Sequence, residues 1–262
     1  MTTDNVTPTL RLADTEVPRI GLGTNRLTNT PEHTAFVREA VAAGIRHIDT
    51  AHLYVGGESE AAIGAALSSS QDGTLVATKG GYRSGEGEPK VLSAQIEESL
   101  RRLRTDSIEL YYLHRVDPQT PLEVSLATIA EHRDKGHIRH VGLSEVGAEQ
   151  IERARELLPI AAVQNEFNLS ERKHEQVVDY CTREGIVFVP FYPLEGGAGP
   201  VVAEIAARHR ATERQIVLAW LLKRSPLMLP IPGTLSLDHA KENLAALEIE
   251  LTDEEFDAVS RP

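Results

Sequence analysis

Strand-like and helix-like segments alternate along this chain with short connections, and that rhythm constrains the fold more than any single residue does. An opening hairpin is read over Leu10 to Pro18. A first strand at Arg19-Ile-Gly-Leu-Gly-Thr is followed by a helix from Pro31 to Ala43, closed by Gly44, a residue suited to a left-handed cap. Strand two spans His47 to Thr50 with its helix over Ser59 to Ser68. Strand three spans Thr74 to Lys79, and its helix from Pro89 to Arg104 begins in proline and ends in arginines, as first-turn geometry and the dipole favour. Strand four (Ser107 to His114) precedes a helix over Pro121 to Lys135, and strand five (His140 to Ser144) precedes one over Ala148 to Leu158. Strand six (Ala161 to Asn165) leads to a helix over Glu171 to Glu184. The uninterrupted apolar run Ile186 to Phe191 makes strand seven, as expected of a strand buried on both faces. Helical segments at Pro200 to His209 and Thr212 to Arg224, an eighth strand at Leu227 to Ile231, a helix over Leu237 to Ala246 and an acidic segment from Thr252 to Ser260 complete the chain. Eight strand–helix units predict an α/β protein, a single (β/α)8 barrel over residues 1–262 with an N-terminal hairpin. No compositional break marks a second domain.

Composition narrows the function. The chain has 262 residues, 41% hydrophobic and 25% charged, enough to bury a core without disulfides or metal. Its one cysteine, Cys181, lies in a helix-like run and reads as a buried, inert thiol. A formal charge of -12 argues against general nucleic-acid binding, which needs a basic face, yet leaves room for an anionic cofactor held by backbone N–H groups. The start Met-Thr-Thr-Asp-Asn-Val-Thr-Pro does not resemble a signal peptide, and no apolar stretch approaches the roughly 20 residues of a membrane span. A cytoplasmic protein without membrane contact is expected, its oligomeric state open and a monomer among the choices.

Four residues carry the chemistry. Asp49, Tyr54, Lys79 and His114 fall at or just after the carboxyl ends of three expected strands, the edge where barrels build active sites. A tyrosine is a reluctant acid at neutral pH, but an adjacent ammonium favours the phenolate and strengthens it. Lys79 is the candidate ammonium, Asp49 its counter-charge, and His114 a donor that orients a carbonyl. Each alone also fits a plainer reading: Tyr54 as a loop aromatic, Lys79 and Asp49 as a barrel-end ion pair, His114 as a satisfied buried histidine. Their convergence favours proton transfer to a carbonyl oxygen. His47, Asp49 and His52 raise a metal-dependent hydrolase, but the two histidines differ in parity along an extended run and no second His-x-His pair follows, so no metal is assigned.

These residues sit in motifs. Gly44-Ile-Arg-His-Ile-Asp-Thr-Ala, then Tyr54 and Glu60-Ala-Ala-Ile-Gly, resembles the signature of the aldo-keto reductase family. The likeness continues in order through Thr78-Lys-Gly, Leu113-His-Arg, Val141-Gly-Leu-Ser, Val163-Gln-Asn-Glu-Phe-Asn, Pro190-Phe-Tyr-Pro-Leu, Ile231-Pro-Gly-Thr and Glu242-Asn. It implies a (β/α)8 barrel using NADPH, less often NADH, without metal. Tyr54 becomes the proton donor, and Asp49, Lys79 and His114 complete its tetrad. The resemblance further implies that Ser144 and Gln164 hold the nicotinamide carboxamide, that Phe191 stacks on the ring, and that Thr24 and Asn25 border that half of the cofactor. Gly233 and Thr234 would approach the adenosine phosphate, with Glu242 and Asn243 at adenine.

Three departures qualify the likeness. Glu145 replaces a frequent asparagine, so a carboxamide contact must change or be lost. Gly233 stands where many relatives place lysine, and His239 where they have arginine, which weakens discrimination for a 2′-phosphate. Backbone N–H groups of Gly233-Thr-Leu offer partial compensation. NADPH is the expected cofactor, with NADH left open. Short loops after His114 and Phe191 predict a shallow, open site for small aldehydes or ketones, and the Pro-Phe-Tyr-Pro-Leu and Ile-Pro-Gly-Thr pattern resembles a bacterial branch with pyridoxal reductases, which makes pyridoxal the named candidate. The rival reading is an NADPH-binding sensor or regulatory subunit, as in potassium-channel β-subunit relatives.

Overall fold

The computed structural model describes residues 8–68, 73–196 and 199–261, so the amino-terminal stretch read above as lacking a signal, and Gly197-Ala198 of the loop after Phe191, lie outside the described residues. Strands β1 (Thr9–Leu12) and β2 (Thr15–Pro18) form the expected hairpin, with Leu10 opposite Val17. Seven parallel strands then follow in chain order: β3 (Leu22–Gly23), β4 (His47–Asp49), β5 (Leu75–Gly80), β6 (Ile108–Leu113), β7 (Ile138–Ser144), β8 (Ile160–Gln164) and β9 (Val187–Phe188). Between them run α1 (Pro31–Ala42), α2 (Glu58–Leu67), α3 (Pro89–Leu103), α4 (Leu122–Asp134), α5 (Ala148–Arg155) and α6 (Glu175–Glu184). After β9 come α7 (Pro200–His209), α8 (Glu213–Arg224), α9 (Leu237–Ala245) and α10 (Asp253–Ser260).

The eighth strand, expected over Leu227 to Ile231, is not regular. Pro230 and Pro232 have no N–H to give a ladder, so this stretch closes the (β/α)8 barrel mainly as an acceptor. Phe188 N–H donates to the Leu227 carbonyl and Leu229 N–H to the Phe188 carbonyl, both at 2.9 Å. On the other side Gly21 N–H donates to the Pro230 carbonyl (2.9 Å) and Gly23 N–H to that of Pro232 (3.3 Å), and isolated bridges join Phe188 to Met228 and Gly23 to Gly233. The same chemistry shortens strand seven: Pro190 interrupts the run to Phe191, which regains contact through a bridge to Glu166. The first strand is likewise regular only over its last residues. Helix α6 starts at Glu175 rather than Glu171, because the Asn168 carboxamide oxygen accepts N–H bonds from Ser170 and Glu171 (2.9 and 2.8 Å) and holds a turn there.

Alternation along each strand divides the core into two layers. Leu75 and Ala77, Leu110 and Tyr112, Ala162, Val187 and Val189, with Leu229 and Ile231, fill the barrel interior, and Leu10, Leu12 and Val17 of the hairpin join that same cluster. The intervening residues Ile48, Tyr111, Leu113, Val141, Leu143 and Val163 pack outward on the helices. Tyr112 finds room in the lumen because its neighbour is Gly142: a Cβ there would approach the Tyr112 ring at 2.4 Å. Continuing the inward parity past the apolar rungs puts Asp49, Lys79, His114, Ser144, Gln164 and Phe191 at the carboxyl end of the barrel. Elsewhere, Cys181 is buried in the outer layer and its thiol is pushed up to about 12 by burial.

Candidate active site

Asp49 ends β4, and the chain then passes through a 3-10 turn over Tyr54–Gly57, in which Tyr54 N–H donates to the Ala51 carbonyl (3.0 Å) and Val55 takes a positive φ of 49°. This turn folds Tyr54 back over the barrel mouth. Lys79 rises from β5, fully buried, and donates to an Asp49 carboxylate oxygen (2.6 Å), to the Thr50 carbonyl (2.7 Å) and to the Tyr54 hydroxyl (3.4 Å). His114, the residue after β6, lies edge-on to Tyr54 with ring centroids 6.1 Å apart. The four residues expected to converge therefore do so.

Burial and charge compete at each of them. Burial pulls the Lys79 ammonium downward, but the Asp49 carboxylate and Tyr54 outweigh it and hold the lysine above its usual value. At Tyr54 burial wins instead: the phenol sits above its usual value, although Lys79 acts to lower it. The expectation of a phenol made more acidic is thus met in the sign of the lysine's contribution and not in the net result. Burial, reinforced by Lys79 and Arg115, drives His114 down to about 2, so its imidazole is neutral across physiological pH. Its Nδ1 is buried without a partner among the described residues.

These groups face a cavity of about 810 Å³. Thr24, Asn25, Asp49, Tyr54, His114, Ser144, Gln164, Phe191 and Gly233 all line it; Lys79 stands behind, out of the lining. Gln164 donates its amide N–H to the second Asp49 oxygen (2.7 Å), tying β8 to the tetrad and leaving its own carbonyl oxygen to accept. Ser144 Oγ has no hydrogen-bond partner among the described residues, and Phe191 packs edge-on against Tyr192 at 5.2 Å. Thr234, His239, Glu242 and Asn243 do not line the cavity. Thr234 accepts the Ser236 N–H (3.0 Å), His239 is exposed in the first turn of α9, Glu242 accepts from the Thr212 hydroxyl (2.7 Å), and Asn243 is buried with its Oδ1 unpartnered among the described residues.

Glu145 does not line the cavity but bonds to two residues that do. At φ 55°, it accepts the Glu166 N–H (2.8 Å) and pairs with Arg115 (2.9 Å), with His174 at 3.7 Å. Desolvation acts upward on its carboxyl, but His174, the Glu166 N–H and Arg115 bring it to about 2. The substitution for asparagine therefore builds a charged strap across the rim between the ends of β6 and β7. His47 lies buried in the lumen, and His52 points outward to Glu98 at 3.0 Å, so the two histidines face different surroundings.

Several lining residues escaped the sequence reading. Tyr82 tilts over His114 (4.8 Å between centroids), and Arg115 lies over the Tyr82 ring at 5.6 Å. Both follow strand ends within three residues of Lys79 and His114, a signal that was available. Leu53, Tyr192, Arg26 and Arg214 also line the cavity. Arg214 comes from a helix start remote from any strand end, so the strand-end signal does not reach it.

A closed barrel whose strand ends bring together a tyrosine, a buried lysine–aspartate pair and a neutral histidine sets groups able to exchange a proton beside a cavity of about 810 Å³. Comparison with known proteins gives the family. The chain belongs to the aldo/keto reductase family, whose model matches residues 19–200 and 198–261. It is 39% identical to an uncharacterized oxidoreductase of Schizosaccharomyces pombe, covering 95% of this chain and 87% of that one. It is 35% identical to pyridoxine 4-dehydrogenase of Escherichia coli, covering 97% and 98%. An aldo/keto reductase from Klebsiella pneumoniae, solved with NADP and acetate, superposes with a TM-score of 0.86 at 27% identity, over 97% of this chain and 94% of that one.

Proposed function

We propose that this oxidoreductase is an NADPH-dependent carbonyl reductase with Tyr54 as proton donor, acting on small aldehydes, with pyridoxal as the leading candidate. The observation that carries the reading is the Lys79 ammonium, held by Asp49 at 2.6 Å and reaching the Tyr54 hydroxyl at 3.4 Å beside the cavity. The residues present suit a dinucleotide: the Ser144 hydroxyl and the free Gln164 carbonyl oxygen match a carboxamide, and Phe191 offers a ring face. Gly23 and Gly233, bridged to each other, keep that wall of the cavity bare of side chains.

Ser144, Gln164 and Phe191 would hold a reduced nicotinamide, which would supply the hydride for the carbonyl carbon. Tyr54 gives its hydroxyl proton to the carbonyl oxygen as negative charge develops there, which completes the alcohol. Its raised pKa keeps that proton in place at neutral pH. Lys79 then faces the phenolate left behind and stabilises it. His114, neutral, donates a hydrogen bond to the substrate oxygen and orients it. The aromatic lips Tyr82 and Tyr192, both partly exposed, suit a flat substrate ring. Residues 1–262 act as one domain in this reading, since strands around the whole barrel supply the site, and the cytoplasm is the proposed location.

The test is a screen of aldehydes and ketones, pyridoxal included, with NADPH and with NADH, followed by nicotinamide absorbance. Consumption of NADPH with one or more aldehydes is expected. Tight NADPH binding with no turnover on any of them would favour a sensor or regulatory subunit, and activity lost to chelators and indifferent to nicotinamide would overturn the reading.

A further inference from the structure

We propose that Arg214 holds the phosphomonoester on the adenosine ribose of the dinucleotide, at a site where Gly233 and His239 supply no fixed positive side chain. The inference rests on the NADPH reading above and names the group that would give it preference over NADH.

Three of the six charged residues on the cavity wall are already paired, and a fourth, Glu195, is an anion. Asp49 is paired with Lys79, Arg115 with Glu145 at 2.9 Å, and Glu166 lies 3.9 Å from Lys173. Two cations remain, Arg26 and Arg214, and neither makes a hydrogen bond or ion pair among the described residues. They differ in burial. Arg26 is exposed, free to be solvated by water, whereas Arg214 is half-buried. A partly desolvated guanidinium without a counter-charge is costly, and an arriving anion removes the cost.

The position of Arg214 on its helix points the same way. It is the second residue of the 12-residue α8, which begins after Thr212 with a reciprocal cap: Gln215 N–H donates to Thr212 Oγ1 (3.3 Å) and Thr212 N–H to Gln215 Oε1 (3.0 Å). The first turn of a helix carries the positive end of the dipole, where acidic residues are favoured and arginine is opposed. Glu213 obeys that rule and Arg214 breaks it. A residue that violates a local preference without compensation in the folded chain is a candidate for function. The same terminus that opposes an arginine favours a bound anion, so helix and side chain would act together on one phosphate.

The base of Arg214 is fixed beside Glu242, one of the residues assigned to adenosine in the NADPH reading. Thr212 Oγ1 donates to a Glu242 carboxylate oxygen (2.7 Å) and Gln215 Nε2 to the Glu242 carbonyl (2.9 Å), which clamps the start of α8 to α9. Gly233, on the loop that leads into α9, lines the cavity with Arg214. The planar guanidinium presents a fork that matches phosphate oxygens bidentately, and a phosphomonoester dianion is the strongest such partner the cofactor carries.

The experiment measures dissociation constants for NADPH, NADH, adenosine 2′,5′-bisphosphate and adenosine 5′-monophosphate by calorimetry on the full chain. Wild type, Arg214→Ala, Arg214→Lys and Arg26→Ala are compared, and circular dichroism verifies that each variant is folded. Arg214→Ala is expected to weaken NADPH and the bisphosphate by roughly ten- to a hundredfold, the range of a charge-assisted contact, and to leave NADH and the monophosphate nearly unchanged. Arg214→Lys should fall between, keeping charge and losing the fork. Equal weakening of NADPH and NADH would assign Arg214 to the pyrophosphate and overturn the proposal, as would unchanged NADPH affinity or a larger loss in Arg26→Ala. A wild-type protein that binds neither dinucleotide would instead overturn the cofactor reading itself.

Discussion

Lys79 Nζ divides its three hydrogen bonds among Asp49, the Thr50 carbonyl and Tyr54, so one ammonium is both buried and fully engaged. Two substitutions separate its roles. Tyr54→Phe keeps the ring and removes the proton; reduction is expected to fall by roughly a hundred- to ten-thousandfold, the worth of a positioned general acid. NADPH affinity, measured by titration, should barely move, and near-wild-type turnover would refute the assignment. Lys79→Met removes a contribution that lowers the phenol, so Tyr54 should hold its proton to higher pH and the basic limb of the rate profile should shift upward. The same change strands the Asp49 carboxylate in the barrel, and denaturant unfolding should report a loss of about 3–5 kcal/mol. A pH–rate profile with the limb in its original place would exclude Lys79 as the group that tunes Tyr54.

At the scale of elements, two-residue alternation does most of the positioning. The parity that sends Leu75 and Ala77 into the lumen also delivers Lys79, and the parity of Leu110 and Tyr112 delivers His114. Such patterns were legible in the sequence, as were the helix starts at Thr30, Thr212, Ser236 and Thr252, where a side-chain hydroxyl accepts an N–H from the first turn. The irregular eighth strand was not, because its apolar run reads as a strand while Pro230 and Pro232 withhold the donors a ladder needs. Gly142 gives the element-scale prediction. Gly142→Ala places a methyl 2.4 Å from the Tyr112 ring, and the variant should lose roughly 1–3 kcal/mol in urea denaturation by overpacking. Wild-type stability would mean the lumen is looser than this packing implies.

Over the whole molecule, a chain of net charge -12 keeps two unpaired arginines on the wall of its main cavity, a local arrangement that the overall composition hides. Buried histidines set the acid response. Burial lowers His47 to about 4 and His114 to about 2 from an ordinary 6.5, so below pH 6.5 the unfolded chain binds protons that the native barrel refuses. Stability from these groups is complete above that pH and falls as pH drops, by up to about 1.4 kcal/mol per unit for each histidine. His47→Leu should therefore flatten the fall of Tm between pH 6.5 and 4 in calorimetric scans; an unchanged slope would remove His47 from the account. The sequence by itself determined the barrel and the strand-end placement of Asp49, Tyr54, Lys79 and His114, because periodicity and strand-end position are local properties written residue by residue. Tertiary structure alone decided how the barrel closes, that Glu145 straps the rim to Arg115, that burial outweighs Lys79 at Tyr54, and that Arg214 reaches the cavity. Each of those depends on distances between segments far apart in the chain, and on a solvent exclusion that exists only once they have packed.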